Sequence, residues 1–446
     1  MKGPKGLFVF ALVLCLAQLC AADGMVYVED NDVWSLRAED QQVAAINYQN
    51  GYEHMLVTVG LKDEGAASKA VWIFPVPVSP NKVSMGVAER FPSFPRTSSV
   101  NDKLSSALAG VGMTMIAYDT FPVGIAILFP VLLGFLGGIS FGATEGVTVY
   151  ETMEKLGVRS ELVTAKSGAA LGDYLEAKGF SLPPSSARVF DSYAGKDYSL
   201  VVTYVSDVSK LPRVNQAPNI DWQRWQNRIP LTVALKFPTD RMYFPLKPTG
   251  AYGEKEIPIV IYVVGHATPE LYPEIKDVTK VDYYYGDLIV QFEDRPFFGN
   301  PDVQWVERPY VGKVGEDFAY TRIKIIAPSY RFTDDLWIDQ GAPASVGVKK
   351  FLTDMPWWLW CLFLMVPVSA LSGIIAGALA CRDPPEPRVK LAVVGLTALL
   401  TFIGVIIAAF KAKLKHKAIF LFLYVLAFIG LTVTALLAIW LMLGLF

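Results

Sequence analysis

From Pro356 to the C-terminus the chain is dominated by three apolar stretches, 356–380, 391–410 and 418–446, separated only by the short charged loops CRDPPEPRVK and KAKLKHK. Each stretch holds about the 20 apolar residues that a helix needs to cross roughly 30 Å of hydrocarbon. A chain ending this way is predicted to carry a C-terminal three-helix transmembrane region, so whatever precedes it is tethered to a bilayer. Trp357, Trp358 and Trp360 open the first stretch just after Asp354, where an interfacial aromatic belt is expected. No Asp, Glu, Lys or Arg interrupts the three stretches. The ionisable groups that mark ion or proton pathways are therefore missing, and a solo transporter is not expected.

The amino terminus predicts the same placement. Lys2 and Lys5 precede the apolar run LFVFALVLCLAQLC, and Ala21 and Ala22 lead into a polar start at Asp23. That is the layout of a secretory signal peptide over 1–22, cleaved near Ala22. Lys plus Arg total 40 against 42 Asp plus Glu. Such a balance argues against a nucleic-acid surface, whose affinity rests on clustered positive charge. The four cysteines, Cys15, Cys20, Cys361 and Cys381, all fall in the signal or the apolar C-terminal region. The exported part, 23–350, must then hold together without disulfides or thiolate metal sites, and it is long enough to do so by burying apolar surface.

That exported part reads as an α+β, β-rich domain with a few helices. Val43–Asn47 and Met55–Val59 flank the turn QNGYE, and Ala70–Phe74 continues the pattern as a three-stranded start. The following PVPVSP forbids a central strand and suits an edge strand leaving the sheet. Further strands are predicted over Gly146–Glu151, Val158–Thr164, Tyr198–Val205, Leu231–Phe237, Ile257–Val264, Leu288–Phe292 and Tyr320–Ile326, divided by Pro, Gly, Asn and Asp. In SGAALGDYLEAKG, Ser167 is a candidate cap, Leu171, Tyr174 and Leu175 have helical spacing, and Gly179 is a stop.

Four stretches, QQVAAINYQNGYEHMLVTV with VWIFPVPVSP, GVTVYETMEKLGVRSELVTA, ALGDYLEAKGFSLPP and RIPLTVALKFPTDRMYFPLKPT, together resemble the envelope-protein family known as domain of unknown function 2330. The resemblance spans Asp23 to Gly265 and rests on Pro, Gly and apolar patterns. It implies an exported location and a domain outline, and carries no activity, cofactor or catalytic residue. This chain departs from the pattern in having no cysteine pairs in the exported domain and in a hydrophobic insertion, 104–143, between the first and second stretches.

Within that insertion Asp119 is the only charge before Thr144, and FPVGIAILFPVLLGFLGGISFGA is long enough to span. A single crossing would put the two parts of one domain on opposite sides of the membrane. A helical hairpin or membrane-dipping element that returns to the side it left is therefore expected. With the domain outside, the loop bearing Arg382, Arg388 and Lys390 obeys the positive-inside tendency, while Lys411, Lys413, Lys415 and Lys417 break it.

No nucleophile elbow, HExxH, Walker loop or CxxC is present, and the three histidines, His54, His266 and His416, are far apart. His54 is expected to be solvated after a turn, and His266 to end a strand. The sequence assigns no catalytic, cofactor-binding or metal-binding residue, and no cofactor. Two carboxylate groups are candidate oxygen ligands for Ca²⁺: Asp334, Asp335 and Asp339, and Asp277, Asp282 and Asp287 around Tyr283, Tyr284 and Tyr285. Neither has EF-hand spacing, and both are expected to be solvated turns. Trp222, Arg224, Trp225 and Arg228, or an exposed tyrosine with Trp305 and Tyr310, are candidate recognition surfaces. Gly373 and Gly377 form a GxxxG suited to close helix packing within the chain or with a partner.

The expectation is a multi-pass membrane protein of a prokaryotic envelope whose main domain is extracytoplasmic and serves as a non-enzymatic binding or structural module. Its partners would be the bilayer and an envelope or membrane-complex protein, with no nucleic acid. The alternatives are a hydrolase or transferase built from Asp334, Asp335 or Asp339, and an accessory subunit of a membrane complex.

Overall fold

The computed structural model describes residues 25–30, 33–37, 42–62, 70–87, 94, 98–120, 153–155, 157–182, 184–210, 228–286, 318–380, 406 and 417–444. The strands are β1 Met25–Asp30, β2 Val33–Arg37, β3 Gln42–Gln49, β4 Tyr52–Lys62, β5 Ala70–Val76, β6 Ser84–Val87, β7 Met153–Lys155, β8 Val158–Val163, β9 Ser199–Val205, β10 Arg228–Pro238, β11 Met242–Phe244, β12 Glu256–Val264, β13 Ala267–Pro269, β14 Thr279–Gly286, β15 Phe318–Pro328 and β16 Leu336–Gln340. The helices are α1 Val100–Thr120, α2 Gly168–Glu176, α3 Pro184–Phe190, α4 Pro273–Lys276, α5 Ala344–Asp354, α6 Trp357–Trp360, α7 Val366–Ala380 and α8 Lys417–Met442. These elements divide into two compact units, one from Met1–Thr97 and Ile139–Ala342, the other from Ser98–Gly138 and Pro343–Phe446.

The first unit is mixed α and β, as the patterning predicted. Its described strands form three sheets, ordered β2-β1-β5-β9-β8-β7, β14-β15-β12-β3-β4-β10-β6 and β11-β16-β13. The pairs are antiparallel except β12 with β3. Asn50 and Gly51 both take positive φ, 53° and 79°. With Gln49 opposite Tyr52, this is the tight hairpin turn an Asn-Gly pair favours. Ala44, Ile46, Met55, Val57, Val59, Leu235, Ile259 and Ile323 of the larger sheet share one core with Trp72, Phe74 and Val201 of the smaller. The opposite face of the smaller sheet, Val71, Ile73, Leu200 and Val202, meets Leu171 and Leu175 of α2 and Phe190 of α3. The unit is thus layered sheet, sheet, helix.

The expected three-stranded start is split by this layering. β3 and β4 pair in the larger sheet, whereas β5 lies between β1 and β9 in the smaller one. The reason is that β5 is apolar on both faces, Val71 and Ile73 toward the helices, Trp72 and Phe74 toward the other sheet, which suits the middle layer. Among the described residues β1 pairs with β5 as far as Ile73, and Pro75 lies opposite Leu200 of β9. Among the described residues Pro258 of β12 pairs with Ile326 of β15 and Pro230 of β10 with Gly60 of β4.

Ser167 caps α2 as expected, its hydroxyl accepting from the Ala170 N–H at 3.0 Å. The next residue, Gly168, donates its N–H to Asp191 Oδ1 at 2.6 Å, and a Cβ there would sit 1.9 Å from the Ala187 carbonyl oxygen. Only glycine lets α2 start this close to the end of α3. The strands expected at Gly146–Glu151 and Leu288–Phe292 lie outside the described residues.

In the second unit Ser99 and Asp102 cap α1 reciprocally: the Asp102 N–H donates to Ser99 Oγ at 3.2 Å and the Ser99 N–H to Asp102 Oδ2 at 3.1 Å. α1 packs on α5 and α8, and α7 on α8. The core holds Leu104, Leu108, Val111, Met115, Trp360, Val368, Ala376, Phe420, Tyr424 and Phe428. The described part of the predicted insertion therefore belongs with the C-terminal helices, and the unit boundary at Ala342 falls ahead of residue 350 because α5 joins α1. Among the described residues two helices are long and apolar enough to cross a membrane, Trp358–Ala376 with 19 residues and Ile419–Met442 with 24. The first contains a π turn, Cys361–Met365, next to Pro367, whose missing N–H leaves the Phe363 carbonyl without its helical donor. Ser369, Ser372 and Ala376 are fully buried on α7, as small residues are where helices approach closely. The stretches 121–143 and 391–405, and most of the loop that follows, lie outside the described residues.

Candidate functional site

The clearest polar centre of the first unit is Asp335, just ahead of β16. It is 7% exposed, against the expectation of a solvated turn. Its carboxylate accepts from the Tyr243 hydroxyl at 2.8 Å, from the Tyr193 hydroxyl at 3.0 Å to each oxygen, and from the Lys247 N–H at 3.0 Å. β11 supplies Tyr243, the turn after α3 supplies Tyr193, and the 3₁₀ turn Lys247–Tyr252 supplies the amide. Asp335 is buried because β16 pairs with β11 and carries the two neighbouring apolar residues, Leu336 and Ile338, into the core. Desolvation pushes its carboxyl up to about 6, the amide and tyrosine hydrogen bonds pulling the other way. Tyr198 packs edge-on against Tyr243, and burial beside Asp335 pushes its hydroxyl up to about 12.

A second acid is tied to the same tyrosine. Glu53 of β4 is fully buried and accepts the Tyr243 N–H at 2.6 Å through Oε2, while Oε1 has no hydrogen-bond partner. Burial holds it well above the ordinary carboxylate range. Tyr243 thus links two carboxyl groups, one through its main chain and one through its side chain. Among the described residues the donors to Asp335 all come from within the unit, so the arrangement ties together a turn, a strand and a 3₁₀ segment.

The other candidate acids are dispersed. Asp334 is exposed and accepts the Asp335 N–H at 2.9 Å through its own Oδ1. Asp339, also exposed, receives Arg241 Nε at 2.8 Å, and Arg241 reaches Glu270 at 2.7 Å as well. Asp277 pairs with Arg331. Asp282 is 4% exposed, a second correction to the solvated reading, and accepts from Arg322 at 2.7 Å across β14 and β15. Asp287 lies outside the described residues. Among the described residues no group of three or more His, Cys, Asp or Glu is placed to hold a metal ion.

His54 is a third correction. It is 4% exposed because β4 runs between β3 and β10, opposite Asn47 on one side and Lys236 on the other. Desolvation, with Lys236 nearby, lowers its pKa to about 3, so it is neutral at physiological pH. His266 follows β12 as expected, its Nε2 3.2 Å from the Tyr284 carbonyl. Tyr284 stacks on Tyr320 at 4.4 Å and is buried, as is Tyr285. The run is therefore covered on both strand faces. His416, Trp222, Arg224, Trp225, Trp305 and Tyr310 lie outside the described residues, as does the Arg228 side chain.

Sequence reasoning missed Glu53, Tyr193, Tyr198 and Tyr243, which converge from distant parts of the chain. One signal was legible: Glu53 begins the alternate series Glu53, Met55, Val57, Val59 that faces the core.

No family model matches this chain, and no curated sequence matches it. Among solved structures, that of baculovirus P35 aligns with a TM-score of 0.25 and 9% identity over 68% of this chain and 96% of P35. A score that low carries no argument about fold or function.

Proposed function

We propose that the chain is a multi-pass membrane protein of a prokaryotic envelope, in keeping with the domain of unknown function 2330 resemblance. Its β-rich unit would be displayed outside the membrane as a non-enzymatic binding or structural module, with an envelope or membrane-complex protein as partner. In this reading 1–22 is a cleaved signal and 391–410 is the third span of the anchor. The observation that carries it is the joining, in one chain, of two long apolar helices to a β-rich unit whose buried acid Asp335 is hydrogen-bonded from within instead of being presented to solvent. The face of α8 supports the membrane part. Ile419, Phe422, Leu426, Val433, Leu437 and Leu441 are exposed at intervals of three, four or seven residues, a stripe suited to lipid and costly in water.

Sided labelling in intact cells tests the proposal. With Cys361 and Cys381 changed to Ser, single cysteines are placed at Asn50 and Ser206, both exposed. Labelling of both by an impermeant maleimide from outside is the expected outcome. Labelling of Ser206→Cys only after lysis would mean that the segment between them crosses once, and would end the single-ectodomain reading.

A further inference from the structure

Where α2 ends against β8 and β9 of the smaller sheet, a carboxylate and two aromatic rings surround an ammonium. Glu161 of β8 accepts from the Tyr174 hydroxyl of α2 and, at 3.0 Å, from the Tyr204 hydroxyl of β9. Phe180 packs on Tyr204 with ring centroids 5.3 Å apart. The ammonium is that of Lys178, 2.7 Å from Glu161 Oε2 and 3.0 Å from Oε1. It stands 5.1 Å from the Tyr174 ring centre and 5.6 Å from that of Tyr204. Rings, a carboxylate and short N···O distances are what recognition of a cation by π faces and charge requires. The Glu161 side chain is 12% exposed and that of Lys178 29%. Burial pushes the Glu161 carboxyl up, but its bonds to Lys178 and the two tyrosines outweigh this and hold it below the ordinary range.

The occupant and the walls differ in how they are held. Glu161 and Tyr204 are on paired central strands, and Tyr174 is on a capped helix. Lys178 sits on the exposed turn between Ala177 and Gly179, the latter at φ +85°. Arg159, 41% exposed, also reaches Glu161 at 3.2 Å, from the sheet side. Arg159 stays beside Glu161 when Lys178 leaves, so the part-buried carboxylate is not stranded without a cation and a lysine on such a turn can leave without unmaking the fold.

We propose that Glu161, Tyr174 and Tyr204, with Phe180 packed on Tyr204, form a binding site for an alkylammonium group, from a small amine or a lysine side chain, and that Lys178 is its tethered competitor. This goes beyond the membrane reading and stands independently of it. A seat filled about nine-tenths of the time by its own lysine shows a foreign amine about a tenth of its intrinsic affinity. In the full-length protein in detergent, Lys178→Ala is therefore expected to bind n-butylammonium saturably and about tenfold more tightly than the unaltered chain. Binding is followed by tyrosine fluorescence at constant ionic strength. Adding Glu161→Gln should abolish it. A parallel titration with Nα-acetyllysine methylamide separates the sources: the tighter of the two compounds names a lysine side chain or a free amine. Lys178→Met, which keeps the apolar stem, covers the case in which alanine loosens the turn. If neither variant binds either amine, or if Glu161→Gln leaves binding intact, the proposal fails.

Discussion

Tyr243 shows how much one residue can organise, since its N–H satisfies Glu53 and its hydroxyl satisfies Asp335. Tyr243→Phe keeps the ring in the core but removes a donor to a buried carboxylate, so a loss of roughly 1–3 kcal/mol in stability is expected by chemical denaturation. The acids also predict a pH dependence. The Asp335 carboxyl lies near 6 when folded against an ordinary 3.8, so the folded state holds its proton more tightly. Its stabilising contribution is present in full below about 4 and is lost as pH rises toward 6, amounting to ~3 kcal/mol. Glu53, raised by the same cause, adds a loss of the same sign as pH rises above the ordinary carboxylate range. Asp335→Asn should reduce the slope of the stability profile between pH 4 and 6, leaving the part that Glu53 carries, and an unchanged slope would show that another group carries it. Nothing local in the sequence marks Asp335 as different from Asp334 or Asp339. Burial is decided by which strand pairs beside it.

Among the elements, the strands with clear alternation were legible: Val43–Asn47, Met55–Val59, Leu231–Phe237, Ile257–Val264 and Tyr320–Ile326 all fall within observed strands. So was α2, because Ser167 and Gly179 punctuate an apolar spacing that holds whatever packs on it. Ser167→Ala should cost about 1 kcal/mol, seen as a lower melting temperature. Sheet membership was not legible, because a strand's two faces say how many layers cover it and not which neighbour pairs with it. The prolines make the point testable. Pro258 has Ile326 of β15 as its described strand partner, whereas Ile261 pairs with Ile323 on one side and Ala44 on the other. Ile261→Pro should cost ~3 kcal/mol or more and abolish folded, soluble β signal, whereas Pro258→Ala should be tolerated.

At the scale of the whole chain, the second unit draws α1 from the middle of the sequence to the C-terminal helices. A Cβ on Gly112 would approach Leu436 Cδ1 to 2.5 Å. Gly112→Leu is accordingly expected to force α1 and α8 apart and to lower the helical melting transition, leaving the β-sheet signal of the first unit in place. Loss of both signals together would show that the two units unfold as one. The apolar length of the C-terminal stretches, the alternation of the strands and the Asn-Gly turn were determined by the sequence alone, since each follows from local spacing and from solvent. The division of β3, β4 and β5 between two sheets, the recruitment of α1, the burial of His54, Asp282 and Asp335, and the closing of rings around Lys178 were decided only by the tertiary structure. Each depends on contacts between residues far apart in the chain, and no local pattern encodes which distant surface will exclude the water.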